Sequence, residues 1–172
     1  MTSVREIRRR KTVIQSTAQI IRGMKLIATV RLTKDRARAE AFRPYFEELR
    51  GMGAMVLEER EWPEERKGPA GIVAFTSNRG LAGGYSQQIV RMIAGDGRFL
   101  PGTAVVYAVG KRGRDSLAAM GYEIRGDYSE AGERPDGVFA EKLAGRLLED
   151  YEAGEIGEIY LAYTVFRNAV VQ

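Results

Sequence analysis

Apolar positions near the start of the chain repeat every seven residues: Ile7, Ile14, Ile21 and Ala28 fall in one line, with Thr17 and Met24 in the intervening places. Such a line is the seam of a helix that packs along another helix. It then moves by four residues to Leu32, Ala39 and Phe46, a shift that locally unwinds a supercoil. Ser3-Val4-Arg5-Glu6 has the form of a capping box, and only Gly23 interrupts the run before Pro44. A helix of about 40 residues is about 60 Å long, longer than a domain of this size is wide. Pro44 predicts a bend or break, after which "YFEELRGMGAMVLEERE" resumes helical spacing. The long helix is therefore expected over 1–60, and "WPEERKGPAG" reads as a polar linker over 61–70.

Beyond the linker the period changes. Gly71 to Thr76 is a short apolar run suited to a buried strand, followed by the glycine-rich "TSNRGLAGGY" and a helix from Ser86 to Ile93. Thr103 to Val109 predicts a second strand, Gly113 to Met120 a helix, and Tyr122 to Arg125 a short third strand. An amphipathic helix follows over 137–151 through Val138, Leu143, Leu147 and Leu148, and then a strand from Glu158 to Thr164. Strands alternating with helices predict an α/β domain over 71–172, with a mostly parallel, Rossmann-like sheet and helices on its faces. The sequence reaches Gln172 at "YTVFRNAVVQ" with no closing helix, which reads as a fold left incomplete at its C-terminal side.

Composition narrows the chemistry. The 172 residues include no cysteine and no histidine. Disulfides, thiol nucleophiles, histidine bases and Cys/His metal sites are thereby excluded. No apolar run approaches the ~20 residues needed to cross a bilayer, and the first residues carry no signal-peptide core. The net charge of +4 is unevenly placed: 12 Lys/Arg against 3 Asp/Glu up to Tyr45, and 15 against 20 thereafter. The basic charge belongs to the first helix.

A loop that cradles phosphate needs glycines so that backbone N–H groups can approach the anion, and the common ATPase form adds Lys-Ser/Thr. "SNRGLAGGYS" has Gly80, Gly83 and Gly84 but neither that element nor the G-x-G-x-x-G spacing, so a structural strand-to-helix turn is the simpler reading. The basic helix offers a second reading, a nucleic-acid contact through its lysines and arginines. Its seam is apolar, however, and few aromatics are interleaved before Phe42. The carboxylates at Glu58, Glu59, Glu61, Glu64 and Glu65 read as a solvated run around the linker rather than a metal site.

Four stretches together resemble one family. "SVREIRRRKTVIQSTAQIIRGMKLIATVRL" is similar to the first helix of the gamma subunit of the F-type ATP synthase, with its T-x-Q-I and Met-Lys elements. "FTSNRGLAGGY" is similar to that family's Thr-Ser/Thr-Asp-Arg-Gly-Leu-Cys/Ala-Gly-Gly stretch, with Asn78 where aspartate is usual. "YAVGKRGRDSL" resembles its Gly-Lys-Lys/Arg-Gly element, and "IYLAYTVFRNAVVQ" its last recognisable strand. The resemblance implies a non-catalytic rotor subunit of the central stalk of a proton-translocating F-type ATP synthase. It further implies no cofactor, and as partners the alpha and beta subunits, the epsilon subunit and the membrane c ring, at the cytoplasmic face of a bacterial membrane without insertion into it. A second long helix, antiparallel to the first, belongs to the family and has no counterpart in these residues. By the same resemblance Met24, Lys25, Arg8, Arg9 and Arg22 would touch the catalytic ring, and Arg79, Gly80, Leu81, Gly83 and Gly84 would be a subunit contact in the foot domain. Met24 also lies on the seam.

Overall fold

The computed structural model describes residues 4–58, 67–130 and 136–165. Ser3 of the capping box, most of the linker, the carboxylates from Glu59 to Glu65 and the final residues 166–172 lie outside the described residues. The chain divides into two units, Met1–Trp62 and Pro63–Gln172.

The first unit is one helix, α1 (Val4–Glu58). Its assignment runs through Pro44 without interruption, so no break occurs there even though the ring nitrogen offers no N–H to the Glu40 carbonyl. Local pairs stabilise it: Arg10 bonds Glu6 at 3.0 Å and Arg36 bonds Glu40 at 2.7 Å, each one turn apart. Exposed pairs of this kind are worth about 0.2–0.5 kcal/mol apiece. Five hydroxyls, on Thr12, Ser16, Thr17, Thr29 and Thr33, donate to the carbonyl four residues back and so satisfy themselves within the helix. The apolar seam is exposed, with Ile7, Ile14, Ile21 and Met24 each more than half accessible. A helix stabilised only by such local terms has its main source of stability, burial of an apolar face, still unused.

The second unit is an α/β layer structure. Its elements are β1 (Ala70–Phe75), α2 (Tyr85–Gly95), β2 (Ala104–Val109), α3 (Lys111–Ala119), β3 (Glu123–Asp127), α4 (Gly137–Glu152) and β4 (Glu158–Ala162). All strand pairings are parallel, in the order β3-β2-β1-β4. The central strands are apolar along their whole length because both faces are covered. On one face Ile72, Ala74, Val106 and Ala108 pack with Ile89, Val90 and Ile93 of α2 and Leu117 of α3. On the other, Val73, Val105, Tyr107 and Val109 pack with Leu143 and Leu147 of α4 and with Ile156. Each such fully buried side chain contributes roughly 1.5–3 kcal/mol.

The stripe of α4 is narrower than its sequence suggests. Leu143 and Leu147 are buried, but Val138 and Leu148 are exposed, at 74% and 54%. Leu148 is turned ~100° from Leu147, off the i, i+4 line that meets the sheet. Phe139 takes the place expected of Val138, packing edge-on to Tyr128 at 6.1 Å. Asp136 caps this helix by accepting the Phe139 N–H at 2.9 Å. Leu161 of edge strand β4 and Tyr163 just beyond its end are also exposed.

Candidate functional site

The loop between β1 and α2 lies at the carboxyl ends of the parallel strands. The strand order reverses beside β1, with β2 on one side and β4 on the other, and such switch points are where α/β sheets bind ligands. What the loop does there follows from its hydrogen bonds. The helix α3 begins at Gly110, which as N-cap residue has no side chain to offer. Its first three N–H groups need partners from elsewhere.

Residues 76–78 provide all three. The Lys111 N–H donates to Asn78 Oδ1 at 2.9 Å, the Arg112 N–H to the Ser77 carbonyl at 3.0 Å, and the Gly113 N–H to Thr76 Oγ1 at 2.9 Å. Thr76 completes the bracket by donating its hydroxyl to the Gly110 carbonyl at 3.1 Å, while its own N–H extends the ladder to Val109. The fit leaves no room: a Cβ on Gly110, at φ 126°, would stand 2.1 Å from the Thr76 carbonyl oxygen, and one on Gly113 would stand 2.6 Å from the Thr76 side chain. These two glycines are therefore required by a threonine more than thirty residues earlier.

Asn78 reaches a third element. Its Nδ2 donates to the Ser129 carbonyl at 2.6 Å, tying the segment after β3 to the same bracket. Ser129 is held in turn by Asp127, which accepts its N–H and its hydroxyl and also receives Arg114 at 2.7 Å. Burial works to raise the Asp127 carboxyl, but the bonds from Ser129 and Arg114 outweigh it and hold its pKa below the ordinary value. On the α2 side, Ser77 donates its N–H to Ser86 Oγ at 3.0 Å, and the two hydroxyls pair at 2.9 Å.

Beyond this anchored base the loop is exposed. Leu81 is 98% accessible and has φ 61°, a left-handed conformation that costs a residue with a Cβ roughly 1–2 kcal/mol. Gly83 has φ 75° in open space, and Gly84 opens α2 without a side-chain cap. Gly80 lies against the Arg112 guanidinium. Beside the loop, a polar cleft of about 220 Å³ is lined by Asn78, Arg79, Lys111, Ser129 and Glu130. It is smaller than the ~300–1,000 Å³ usual for ligand pockets.

The five residues expected to meet a catalytic ring are all on α1 and all exposed. At 3.6 residues per turn they do not share a face. Met24 lies on the seam and Lys25 at its border, while Arg8 and Arg22 share one flank of the side away from it and Arg9 lies on the other flank of that side. The structure thus brings Arg79 to Gly84 together in one loop and spreads the α1 set around an axis. What sequence reading missed is the bracket formed by Thr76, Ser77 and Asn78. The available signal was a glycine N-cap with no capping residue of its own.

Comparison with known proteins agrees with these features. The family described as ATP synthase matches residues 3–172. An ATP synthase gamma chain of Lachnoclostridium phytofermentans is 42% identical over 99% of this chain and 60% of its own length. A sodium ion specific gamma chain of Acetobacterium woodii is 32% identical, over 99% of this chain and 58% of its own length. One from Moorella thermoacetica is 35% identical, over 100% and 63%. The chain thus spans about three-fifths of the length of these curated relatives. With a family match over nearly every residue, the chain belongs to the ATP synthase gamma-chain family.

Proposed function

We propose that the chain acts in the central stalk of an F-type ATP synthase, as a non-catalytic part of the rotor that couples c-ring rotation to the catalytic sites of the beta subunits. The observation that carries this reading is α1: a 55-residue helix with an exposed apolar seam and basic side chains around the rest of its circumference, in a chain of this family. A shaft acts on its surroundings only if each orientation contacts their alternative conformations with different free energy. Moving a two-state subunit from 1:99 to 99:1 takes about 5.5 kcal/mol of such difference. Exposed ion pairs worth about 0–1 kcal/mol each reach that total only in numbers, and they let go easily. Arg8, Arg9 and Arg22, turned away from the seam, fit this role toward the alpha and beta subunits, with Met24 and Lys25 nearer a second helix.

In the foot, the proposed contact is the loop tip from Arg79 to Gly84, toward the epsilon subunit or the c ring. An apolar side chain held fully in solvent in a left-handed conformation, as Leu81 is, has little stabilising role within its own domain. Protons are the proposed coupled ion, although the Acetobacterium woodii relative is named as sodium ion specific. No helix among the described residues is long and apolar enough to cross a membrane, so attachment on the cytoplasmic side of a bacterial membrane would run through partner subunits.

The test is a chimera in which residues 1–172 replace the matching part of the Lachnoclostridium phytofermentans gamma chain, co-expressed with that organism's alpha and beta subunits. The chimera should co-purify with them and support ATP hydrolysis. Failure to co-purify while the parent gamma chain does so would refute the reading.

A further inference from the structure

We infer that the Asp136-Gly137 pair at the start of α4 is a modification site, where the folded chain converts spontaneously to isoaspartate, and that the fold spares its other Asp-Gly pair, Asp96-Gly97. The inference concerns the chain's own covalent chemistry and does not rest on the central-stalk reading. In this reaction the glycine nitrogen attacks Cγ of the preceding aspartate's neutral carboxyl group. A C–N bond forms, the amide proton and the carboxyl OH leave as water, and a five-membered succinimide closes. Water then reopens the ring. Attack at the former backbone carbonyl leaves the chain running through Cγ, so water is the only co-reactant and the mass is unchanged. Glycine permits the attack because no Cβ shields its nitrogen, and both Gly97 and Gly137 stand in open space. Neither sequence nor crowding separates the two pairs.

Backbone geometry does separate them. Closure needs Cβ of the aspartate and the glycine nitrogen eclipsed about the Cα–C bond. Cβ stands about 120° from the backbone nitrogen around that bond, so the eclipsed arrangement falls at ψ of about −120°. Asp136 has ψ −179°, which is about 60° from it, whereas Asp96 has ψ 116°, which is about 120° from it.

The side chains differ in the same direction. Asp136 is held by one bond, from the Phe139 N–H to Oδ1 at 2.9 Å, and its Oδ2 has no partner among the described residues. Asp96 is gripped on both oxygens by Arg98, whose backbone N–H and Nε donate to Oδ1 at 3.1 and 3.0 Å and whose Nη2 donates to Oδ2 at 2.7 Å. The guanidinium is itself seated over the rings of Phe99 and Tyr160, at 5.0 and 5.5 Å. The side-chain bonds from Arg98, helped by its backbone N–H, hold the Asp96 carboxyl down at about 2. The neutral acid that is attacked is therefore scarcer there, on the order of 100-fold, than at an ordinary aspartate. Conversion at Asp136 would undo the start of α4. Asp136 accepts the Phe139 N–H through its side chain and the Ala140 N–H, at 3.0 Å, through its carbonyl. In isoaspartate that carbonyl becomes a free carboxylate and Cγ becomes the chain link, so the first turn loosens, with the Phe139 ring that packs on Tyr128.

The experiment ages the folded 172-residue chain at neutral pH. Isoaspartate is read by methyl transfer from labelled S-adenosylmethionine with an isoaspartyl methyltransferase and located by electron-transfer mass spectrometry of the peptides. Conversion at position 136 should lead that at 96 by about 10-fold or more, and in urea the two should become closely similar. Arg98→Ala should bring Asp96 to within a few-fold of Asp136, and Gly137→Ala, whose Cβ meets open space, should suppress the signal at 136. Near-ultraviolet circular dichroism before ageing checks that both variants are folded. Equal rates in the folded chain, a lead for Asp96, or no conversion at 136 under conditions where the unfolded chain converts would overturn the inference. So would an unchanged lead in urea, which would assign the difference to flanking sequence, or an Asp96 that stays inert in folded Arg98→Ala.

Discussion

Replacing Thr76 by valine keeps the shape of the side chain and removes only its oxygen. That oxygen donates to the Gly110 carbonyl and accepts the Gly113 N–H, and both Gly110 and Gly113 are buried. The Gly113 N–H would lose its partner with no route to water, while the Gly110 carbonyl keeps the Arg114 N–H at 3.2 Å. An orphaned group of this kind costs about 1–3 kcal/mol, a loss that overlaps with the roughly 1 kcal/mol of a missing helix cap. A methyl group at 2.9 to 3.1 Å from a nitrogen and an oxygen also lies inside ordinary van der Waals contact, so the turn must open slightly. The expected total is about 1–3 kcal/mol. For the unit of Pro63–Gln172 this corresponds to a fall in Tm of roughly 5–20 °C. Thermal melting followed by near-ultraviolet circular dichroism in the tyrosine band reads mainly the sheet unit, since Tyr45 is the one tyrosine of α1, beside Phe42 and Phe46. Hydrogen exchange should lose protection at the start of α3 before the β1 and β2 strands. Thr76→Ser restores the oxygen and should recover most of the loss. Equal melting of the Val variant and the parent, or equal damage from Ser and Val, would refute the bracket.

Further outcomes follow from other contacts. Gly110→Ala demands a Cβ 2.1 Å from a carbonyl oxygen and should leave no folded sheet unit in soluble protein, whereas Gly83→Ala, strained but in open space, should cost only about 1–2 kcal/mol by the same melt. Asn78→Asp keeps the acceptor for Lys111 but sets a carboxylate against the Ser129 carbonyl, so a net loss of about 1 kcal/mol is expected in urea titration, against about 2 for Asn78→Leu. Asp150 is buried, which works to raise its pKa, but bonds from Tyr107 at 2.5 Å and Arg146 at 3.0 Å outweigh burial and lower it. Its contribution is therefore full above the unfolded value near ~3.9 and is lost as pH falls through the lower folded value, and the Asp150→Asn chain should lack that part of the acid-side slope. Leu81→Asp should leave the melt within about 0.5 kcal/mol of the parent while weakening co-purification of the chimera with its partner subunits.

The elements of the sheet unit were legible because their signals are local. "AVVYAV" reads as a buried strand since nothing polar interrupts it, and β2 is buried at all six positions. The α3 helix shows where locality ends. Its apolar face predicts a start near Gly113, but it begins at Lys111, because its first turn is capped by residues more than thirty positions earlier in the chain. Asp150 was equally hidden: within α4 it reads as a surface carboxylate, and only the fold places Tyr107 beneath it. Val138 and Leu148 were overcounted for a related reason, since apolar spacing gives the width of a stripe but not the width of the surface waiting to cover it. On α1 the opposite holds. The seam was fully legible, being a property of one helix, while its partner is not a property of that helix at all.

"TSNRGLAGGY" raises the question of a phosphate cradle because it is glycine-rich and joins a strand to a helix. A cradle works by leaving N–H groups at a helix start unpaired for an anion. In this chain the start of α3 has three such groups, and the loop's own first three residues accept from every one of them. The Ser86 hydroxyl at the start of α2 is likewise engaged by Ser77. At the start of α3 the polar atoms that would greet a phosphate are spent on holding three strand ends together. That rigid base is also what allows the tip to project Leu81 into solvent at φ 61°, since a strained, exposed residue persists only where its flanks are fixed. Two parts of one loop thus do separate work: residues 76–78 close the domain, and residues 79–84 face outward from it.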